Sequence, residues 1–525
     1  MGKDEISVAA ARGGDSHSLQ DPEKQSVTDA STHELKREMS GRHLQFIAIG
    51  GAVGTGLFIG SGASLASAGP AGCLISYIFV GTILYSVMTS LGEMATYLPT
   101  PGSFTSYSAR FVDPALGFAM GWLYWFSWAI TWALELTAAG LIIQYWNDSI
   151  SIGVWIAIFW ALFTAINFMP VKWYGELEMW FVSIKVITIL GFLIFAICIN
   201  AGASPQGYLG FHYWGNPGAF ASYDEDMDPA VGKFVSFWSV LVTAAFSYQG
   251  AELVGVGAGE ARDPHKTVPA AIRNTFWGIV FLFVSTIFFL GLLIPHTNLD
   301  LLKGTTSGES SPLVIAANLA SVPVLPDLIN AVLLTAVLSA ANSNVYSGSR
   351  ILIALAAEGH APQFLTKSNK QGIPYYAVAM TSAVGLLAFL NLSAGGSDAF
   401  NWFLNITSVA GLITWSSINL SHIRFQHAMK AQGVSRATLP YRGFLQPYLS
   451  WYGLFFNLLI IITQGFTAFM PWDTVGFFTA YISVILFVAL YVGYKVAYRP
   501  AFIKASDADI NKGRVLPPGG TLEDQ

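Results

Sequence analysis

Charged residues and cysteines are both scarce in this sequence. Of its 525 residues only 11% are charged, less than half of the share of about 25% that is usual in soluble domains. A soluble protein of this length would divide into domains with charged surfaces, so the composition argues strongly against that class. Only two cysteines occur, Cys73 and Cys198, and both lie in apolar blocks. This spacing indicates neither a disulfide framework nor a cysteine-based metal site.

Catalytic motifs are missing as well. The sequence contains no phosphate-binding loop, no zinc-ligand spacing and no nucleophile elbow. The glycines of the first apolar block do not follow a strand, which argues against a dinucleotide site. We therefore expect no enzyme activity, no cofactor, no metal and no nucleic-acid partner.

Long apolar blocks dominate the sequence instead, and 53% of the residues are hydrophobic. Crossing a bilayer takes about 20 predominantly apolar residues, and twelve blocks reach or approach that length. The blocks predict an all-α membrane protein with twelve transmembrane helices, near residues 44–66, 72–98, 114–146, 152–169, 180–201, 234–258, 275–295, 326–356, 375–393, 400–424, 446–470 and 474–497. The apolar stretch from Pro312 to Ala320 is too short to cross and predicts a re-entrant or loop helix.

Polar tails flank the apolar region. Residues 1–43 have the composition of a disordered tail, residues 499–525 are similar in character, and residues 44–498 form the predicted transmembrane domain. An even number of spans puts both tails on one side, where Lys and Arg cluster, whereas the opposite loops carry only Lys233 and Lys303. The positive-inside rule then makes both termini cytoplasmic.

Two spans contain sequences that weaken a helix. Span one includes GGAVGTG, from Gly50 to Gly56, and span six includes SYQGAE, from Ser247 to Glu252. A helical glycine costs about 1 kcal/mol relative to alanine. Small residues can also serve close helix packing, but two interruptions five spans apart are typical of an inverted repeat. Lipid cannot satisfy an unwound backbone, so the breaks should line a cavity or a ligand.

The chemistry of such breaks favours one class of ligand. The N-terminus of a half-helix attracts a carboxylate through its dipole and its unpaired N–H groups. The carbonyl groups at the other half-helix end attract an ammonium. A molecule that carries both groups is an α-amino acid.

Several motifs give the sequence a specific resemblance. It is similar to the fungal amino-acid permeases of the amino acid–polyamine–organocation superfamily through Gly50–Gly62, Ser90–Ala95, Gly250–Pro269 and Ser339–Arg350. It looks most like the basic amino-acid permeases, for arginine and lysine, through Phe126–Thr131, Ala133–Leu136, Phe211–Trp214 and Gln464–Phe469. The resemblance implies proton-driven uptake at the plasma membrane by five-plus-five inverted repeats, with helices one and six broken and two helices added.

The candidate substrate-binding residues lie in four spans. Ser127, Thr131 and Glu135 are spaced by four and share one helix face. An ionised Glu facing lipid is unfavourable, so Glu135 should face the interior, either as a ligand or as a hydrogen-bond partner of another helix. The other candidates border the two breaks or, for Thr407, occupy a position that the resemblance links with Ser127 to the choice between arginine and lysine. They are Gly54, Thr55, Gly56, Phe246, Ser247, Tyr248 and Thr407; the two aromatic residues can act as a gate or as packing.

Two further residues are candidates for proton coupling. Lys185 is a titratable amine inside span five, and the resemblance implies that proton-coupled relatives place a lysine there. The alternative is a lysine that snorkels to the membrane surface. Glu252 could share the proton with Lys185 or cap the broken backbone, and Glu93 and Glu260 are expected to be gate or packing residues.

The sequence therefore predicts a proton-coupled symporter that imports cationic amino acids across the plasma membrane. Alternatives are a permease for neutral amino acids and an amino-acid sensor without net transport. The expected partners are an amino acid, protons and the lipid bilayer. Ubiquitin-ligase machinery is another candidate partner, which would act on tail lysines Lys3, Lys24 and Lys36.

Overall fold

The computed structural model describes residues 41–514 apart from 101, 170, 262, 303–310, 370, 395 and 470. The chain divides into two units, 1–36 and 37–525, and all described residues belong to the second. The predicted disordered N-tail therefore lies outside the described residues except for its last three positions. The same holds for the ubiquitin-acceptor candidates Lys3, Lys24 and Lys36.

The described part of the chain is helical and contains no strand. The helices are α1 Gly41–Ala52, α2 Ser61–Tyr97, α3 Ser103–Phe111, α4 Pro114–Ile143, α5 Ile152–Asn167, α6 Val171–Asn200, α7 Pro229–Ser239, α8 Leu241–Tyr248, α9 Leu253–Gly257, α10 Pro264–Leu293, α11 Leu299–Leu302, α12 Pro312–Leu319, α13 Leu325–Ala357, α14 Tyr375–Val384, α15 Asn391–Ala394, α16 Gly396–Ala431, α17 Tyr448–Thr463 and α18 Thr474–Tyr498. A π-helical turn, Gly56–Gly60, precedes α2.

Ten helical segments in the described residues are long and apolar enough to cross a membrane. The first, Leu44–Tyr97, includes two predicted spans, and its backbone is non-helical at Gly69, just before Pro70. The predicted fourth span is the helix α5, at 16 residues shorter than the other spans. These segments make the chain a multi-pass membrane protein. The short apolar stretch after Pro312 forms α12, a buried eight-residue helix.

The functional site lies among helices that pack closely against one another. α4 packs against α13 and α16, and α2 packs against α8, α10 and α16. The interior is lined with apolar side chains, of which Trp132 and Trp415 are among the largest that are fully buried. Both helix interruptions fall inside this packed region, so their backbone groups are enclosed by protein.

The C-terminal segment differs from the disordered character expected of it. Residues 499–514, which we call the C-terminal strap, are held against the helices by main-chain carbonyls that accept hydrogen bonds. Gln432 donates to the oxygen of Ala508 at 2.7 Å, and Arg110 donates to that of Lys512 at 2.8 Å. The side chain of Ile510 is fully buried. The sequence does not reveal this attachment, because the burial of Ala508 and Ile510 and a few main-chain hydrogen bonds leave no hydropathy signal.

Candidate functional site

Two interruptions open the helices at the predicted places. α1 ends at Ala52, and the next helical turn begins at Gly56. α8 ends at Tyr248, Gln249 is extended, and α9 begins at Leu253. Gly250 has φ +95°, a conformation in which glycine is favoured because it has no Cβ. The predicted pair of helix breaks is therefore confirmed.

The two interruptions touch each other through glycine. A Cβ atom added at Gly250 would lie 2.6 Å from the carbonyl carbon of Gly51, and one added at Gly56 would lie 2.6 Å from the Cα of Ser247. Both contacts are with backbone, which cannot move aside as a flexible side chain can. Gly54 is different, because its added Cβ would have only Ala340 Cβ and Glu135 Oε1 nearby, each at 4.0 Å.

A cavity of about 60 Å³ lies where the interruptions meet α4 and α13. Eight of the predicted site residues line it: Gly54, Thr55, Gly56, Ser127, Thr131, Glu135, Phe246 and Glu252. The other lining residues were not among the candidate site residues, although four of them belong to the two predicted breaks; they are Gly51, Ala52, Tyr124, Trp128, Gln249, Gly250, Ala340, Ser343, Asn344 and Gly411. One cavity thus joins both breaks to the polar face of α4.

Glu135 is buried in the wall of this cavity, with 3% of its surface exposed. Its Oε1 accepts a hydrogen bond of 2.9 Å from the Thr55 hydroxyl, which ties α4 to the first interruption. Its Oε2 has no partner within the described part of the chain. The hydrogen bond from Thr55 supports the structural interpretation, and an unpaired oxygen on a residue of the cavity wall supports the ligand interpretation.

Comparison with known proteins assigns the family. The amino acid permease family profile matches residues 43–505. This chain belongs to the amino acid permease family. It is therefore a transporter and not an enzyme.

Curated relatives cover most of the permease. The lysine-specific permease of Saccharomyces cerevisiae is 48% identical over 91% of this chain and 79% of the relative. The basic amino-acid permease of the same yeast is 47% identical over 92% of this chain and 84% of the relative. The dicarboxylic amino acid permease of that yeast is 41% identical over 91% of this chain and 79% of the relative.

A solved structure shares the fold at low sequence identity. The manganese transporter of Eremococcus coleocola superimposes with a TM-score of 0.54 over 89% of this chain and 98% of that chain. The two sequences are 12% identical, so this likeness concerns the transporter fold alone.

Lys185 lies beside the first interruption of the permease and not in the cavity wall. Its Nζ donates to the carbonyl oxygen of Gly50 at 3.1 Å, and the side chain is fully buried. Glu178 and Glu135 are the carboxylates that interact with its charge. Glu178, which accepts from Ser339 at 3.2 Å, was not among the predicted residues. Because the ammonium bonds a main-chain carbonyl deep in the protein, the snorkelling alternative does not describe it.

Three other predicted site residues do not line the cavity. The Tyr248 hydroxyl donates to the carbonyl of Tyr77 at 3.1 Å, and the hydroxyl of Ser247 lies 3.0 Å from that of Tyr77. The ring of Tyr248 packs on Phe283, with centroids 5.0 Å apart. Thr407 donates to the carbonyl of Phe403 in its own helix at 2.8 Å. In this conformation their contacts are those of packing, and their roles in binding remain predictions.

Glu252 combines both interpretations that the sequence left open. Its carboxylate lines the cavity and also accepts from the backbone N–H of Gly250, at 3.1 Å to Oε2 and 3.3 Å to Oε1. Trp415 donates to the same carboxylate at 3.3 Å. These bonds satisfy the broken backbone, as the capping alternative requires, while the cavity position leaves a role in coupling open.

Glu93 belongs to a buried polar cluster outside the cavity. Its carboxylate lies 2.8 Å from His422 Nε2 and accepts from Gln426 at 2.6 Å, from Gly443 N at 2.8 Å and from Arg436. The cluster joins α2 to α16 and to the segment before α17, which is consistent with the predicted gate or packing role. Glu260 ends a short 3₁₀ turn, and its side chain lies outside the described residues.

The glycines of the first interruption give a test of the cavity. Gly54→Ala adds a methyl group where there is space, facing Glu135, so we expect weaker substrate binding with normal folding. Gly56→Ala forces its methyl against the Ser247 backbone, so we expect loss of folded protein. The measurements are the KM of uptake and the amount of monodisperse protein by size-exclusion chromatography. Gly54→Ala with an unchanged KM would mean that this glycine only packs helices.

Proposed function

We propose that this permease imports cationic amino acids, arginine and lysine, across the plasma membrane together with protons. The observation that carries the proposal is the unpaired Oε2 of Glu135 in a cavity between two helix interruptions. Relatives that are 48% and 47% identical are named lysine-specific and basic amino-acid permeases, which supports a cationic substrate. Twelve spans in an inverted repeat, with both termini cytoplasmic, complete the proposed architecture.

The cavity offers a complementary contact for each group of such a substrate. Backbone N–H groups at Gly54–Gly56, at the start of a helical segment, suit the carboxylate. Oε2 of Glu135 suits a positive charge, and Glu252 supplies a second carboxylate to the same cavity. Arginine and lysine carry one negative and two positive groups, so this charge distribution favours them over neutral amino acids.

Proton coupling is proposed to act through Lys185. Its ammonium donates a hydrogen bond to the carbonyl oxygen of Gly50, which lies immediately before the first interruption. Losing the proton removes the positive charge and weakens this bond, because charge-assisted hydrogen bonds are the stronger kind. The position of α1 beside the cavity would then depend on the protonation of Lys185, which couples the two gradients.

Three other functions are distinguishable from this one. A dicarboxylic amino acid permease is among the relatives, at 41% identity, but two carboxylates in one cavity disfavour a substrate with a second negative charge. A neutral amino acid would leave Oε2 of Glu135 unpaired. A sensor without net transport would bind substrate and not accumulate it.

An uptake experiment tests the proposed function. Cells that lack their own basic amino-acid uptake and express the permease should accumulate labelled arginine, and unlabelled lysine should compete strongly. Leucine, proline and glutamate should compete at least tenfold more weakly, about 1.4 kcal/mol in binding free energy. Equal competition by leucine would favour a neutral permease, and binding without accumulation would favour a sensor.

A further inference from the structure

Asn344 is a buried residue of the cavity wall, and its side-chain donor has no partner among the described residues. Its side chain is 3% exposed, it lines the cavity wall contributed by α13, and its Nδ2 has no hydrogen-bond partner in the described chain. An unpaired buried donor is unfavourable unless something else satisfies it. Since this one borders the cavity, a bound molecule is the natural acceptor.

The position of Asn344 relative to Glu135 matters. Ala340, Ser343 and Asn344 lie on one face of α13, and that face is turned to the cavity. A Cβ atom added at Gly54 would lie 4.0 Å from Ala340 Cβ and 4.0 Å from Glu135 Oε1, so these two residues lie at one level of the cavity. Asn344 is one helical turn further along α13, about 6 Å from that level. The cavity wall therefore contains an unpaired donor on α13 and an unpaired acceptor on α4, with the donor residue about one helical turn beyond the level of the acceptor residue.

We propose that Asn344 binds the carboxylate of the substrate. Its amide N–H donates to a carboxylate oxygen while Oε2 of Glu135 accepts from a cationic group of the same molecule. This inference rests on the proposed function and adds a side-chain contact to the backbone N–H groups of Gly54–Gly56. Such a contact serves every α-amino acid, so Asn344 sets affinity for the carboxylate and Glu135 sets the preference for positive charge.

A neighbouring asparagine provides a matched control. Asn342 lies two residues away on α13, is equally buried, and does not line the cavity. Its Oδ1 already accepts a hydrogen bond of 2.9 Å from Asn167 on α5. Asn342→Ala removes the same side chain from the same helix without removing a cavity donor, so we expect an unchanged KM at matched surface expression.

The test pairs a protein change with a ligand change. Wild type and Asn344→Ala are compared for binding of arginine and of arginine amide, in which a neutral amide replaces the carboxylate. We expect Asn344→Ala to weaken arginine binding about tenfold, the loss of one hydrogen bond to a charged group. Arginine amide, already a weak ligand of the wild type, should weaken by only about threefold, because its neutral carbonyl oxygen accepts a weaker hydrogen bond from Asn344 than a carboxylate does. Asn344→Ser, which keeps a donor, should retain most of the arginine affinity.

Two outcomes overturn the inference. Equal weakening of arginine and its amide would mean that Asn344 shapes the cavity without contacting the carboxylate, and unchanged binding of arginine would mean no contact at all. Failure of the proposed function gives a different result, because the wild type would then not prefer arginine over neutral amino acids. The same comparison could still be made with whichever amino acid the wild type binds and with its amide.

Discussion

Replacing Lys185 by alanine should abolish the accumulation of arginine against its gradient when uptake is driven by a pH difference. The ammonium is fully buried, and its bond to the Gly50 carbonyl adjoins the first helix interruption. Without a titratable group at this position, protonation can no longer change the strength of the hydrogen bond to the Gly50 carbonyl of α1. The measurement is the steady-state ratio of labelled arginine inside to outside, in vesicles with an imposed pH gradient. Surface expression should remain near normal.

Two comparison variants make this result specific. Lys185→Arg keeps a positive charge and a donor but cannot release its proton, because guanidinium stays charged. It should therefore bind arginine while losing pH-driven accumulation. Lys233→Ala removes an exposed lysine from α7 and should behave as wild type. If Lys185→Ala still accumulates arginine in a pH-dependent manner, the assignment of Lys185 is wrong.

Replacing Glu135 by glutamine should weaken binding of arginine and lysine far more than binding of any neutral amino acid. Two unit charges 4 Å apart attract by about 4 kcal/mol at an effective dielectric of 20, before desolvation is subtracted. A net remainder of about 1.4 kcal/mol is already tenfold in affinity. Glutamine keeps the size and can still accept from Thr55, so the charge is the main change. Competitive binding of arginine and leucine at matched surface expression measures it.

Other roles of Glu135 predict other patterns. A structural role predicts poor folding or surface delivery and equal loss for all substrates. A role in proton coupling predicts normal binding with failed accumulation. Thr55→Val is the matched control, because it removes the hydrogen bond to Oε1 but leaves the carboxylate. This variant should retain the preference for cationic substrates, and equal loss of arginine and leucine in Glu135→Gln would contradict the selectivity claim.

The parts of the molecule with a strong sequence signal were predicted well. Apolar blocks of sufficient length give the positions of the spans, and the glycines around Gly54 and Gly250 mark both interruptions. The spacing of Ser127, Thr131 and Glu135 by four placed them on one face, and all three line the cavity. In these cases the signal is local, since helix propensity and helix periodicity act within one segment.

Residues whose role depends on a second helix were missed. Asn344 is one of several polar residues in an apolar helix, and only packing against α4 shows which of them faces the cavity. Glu178 falls just before the predicted start of span five, but α6 begins at Val171 and carries Glu178 into the protein. Tyr248 borders the second break as predicted, but its ring packs on Phe283 and does not line the cavity.

The attachment of the C-terminal strap has a consequence for how its sequence can vary. Three side chains of the helices donate hydrogen bonds to main-chain carbonyls of the strap; they are Arg110, Arg424 and Gln432. Every residue type supplies a carbonyl, so most strap side chains can change without loss of attachment, provided that Ile510 stays apolar. Shortening the chain is a different matter. Ending the protein at Tyr498 would remove the strap carbonyls to which these three side chains donate, and among the described residues only Arg424 would keep another acceptor, the carbonyl of Phe111. A fusion or truncation that spares the strap should therefore begin after Arg514.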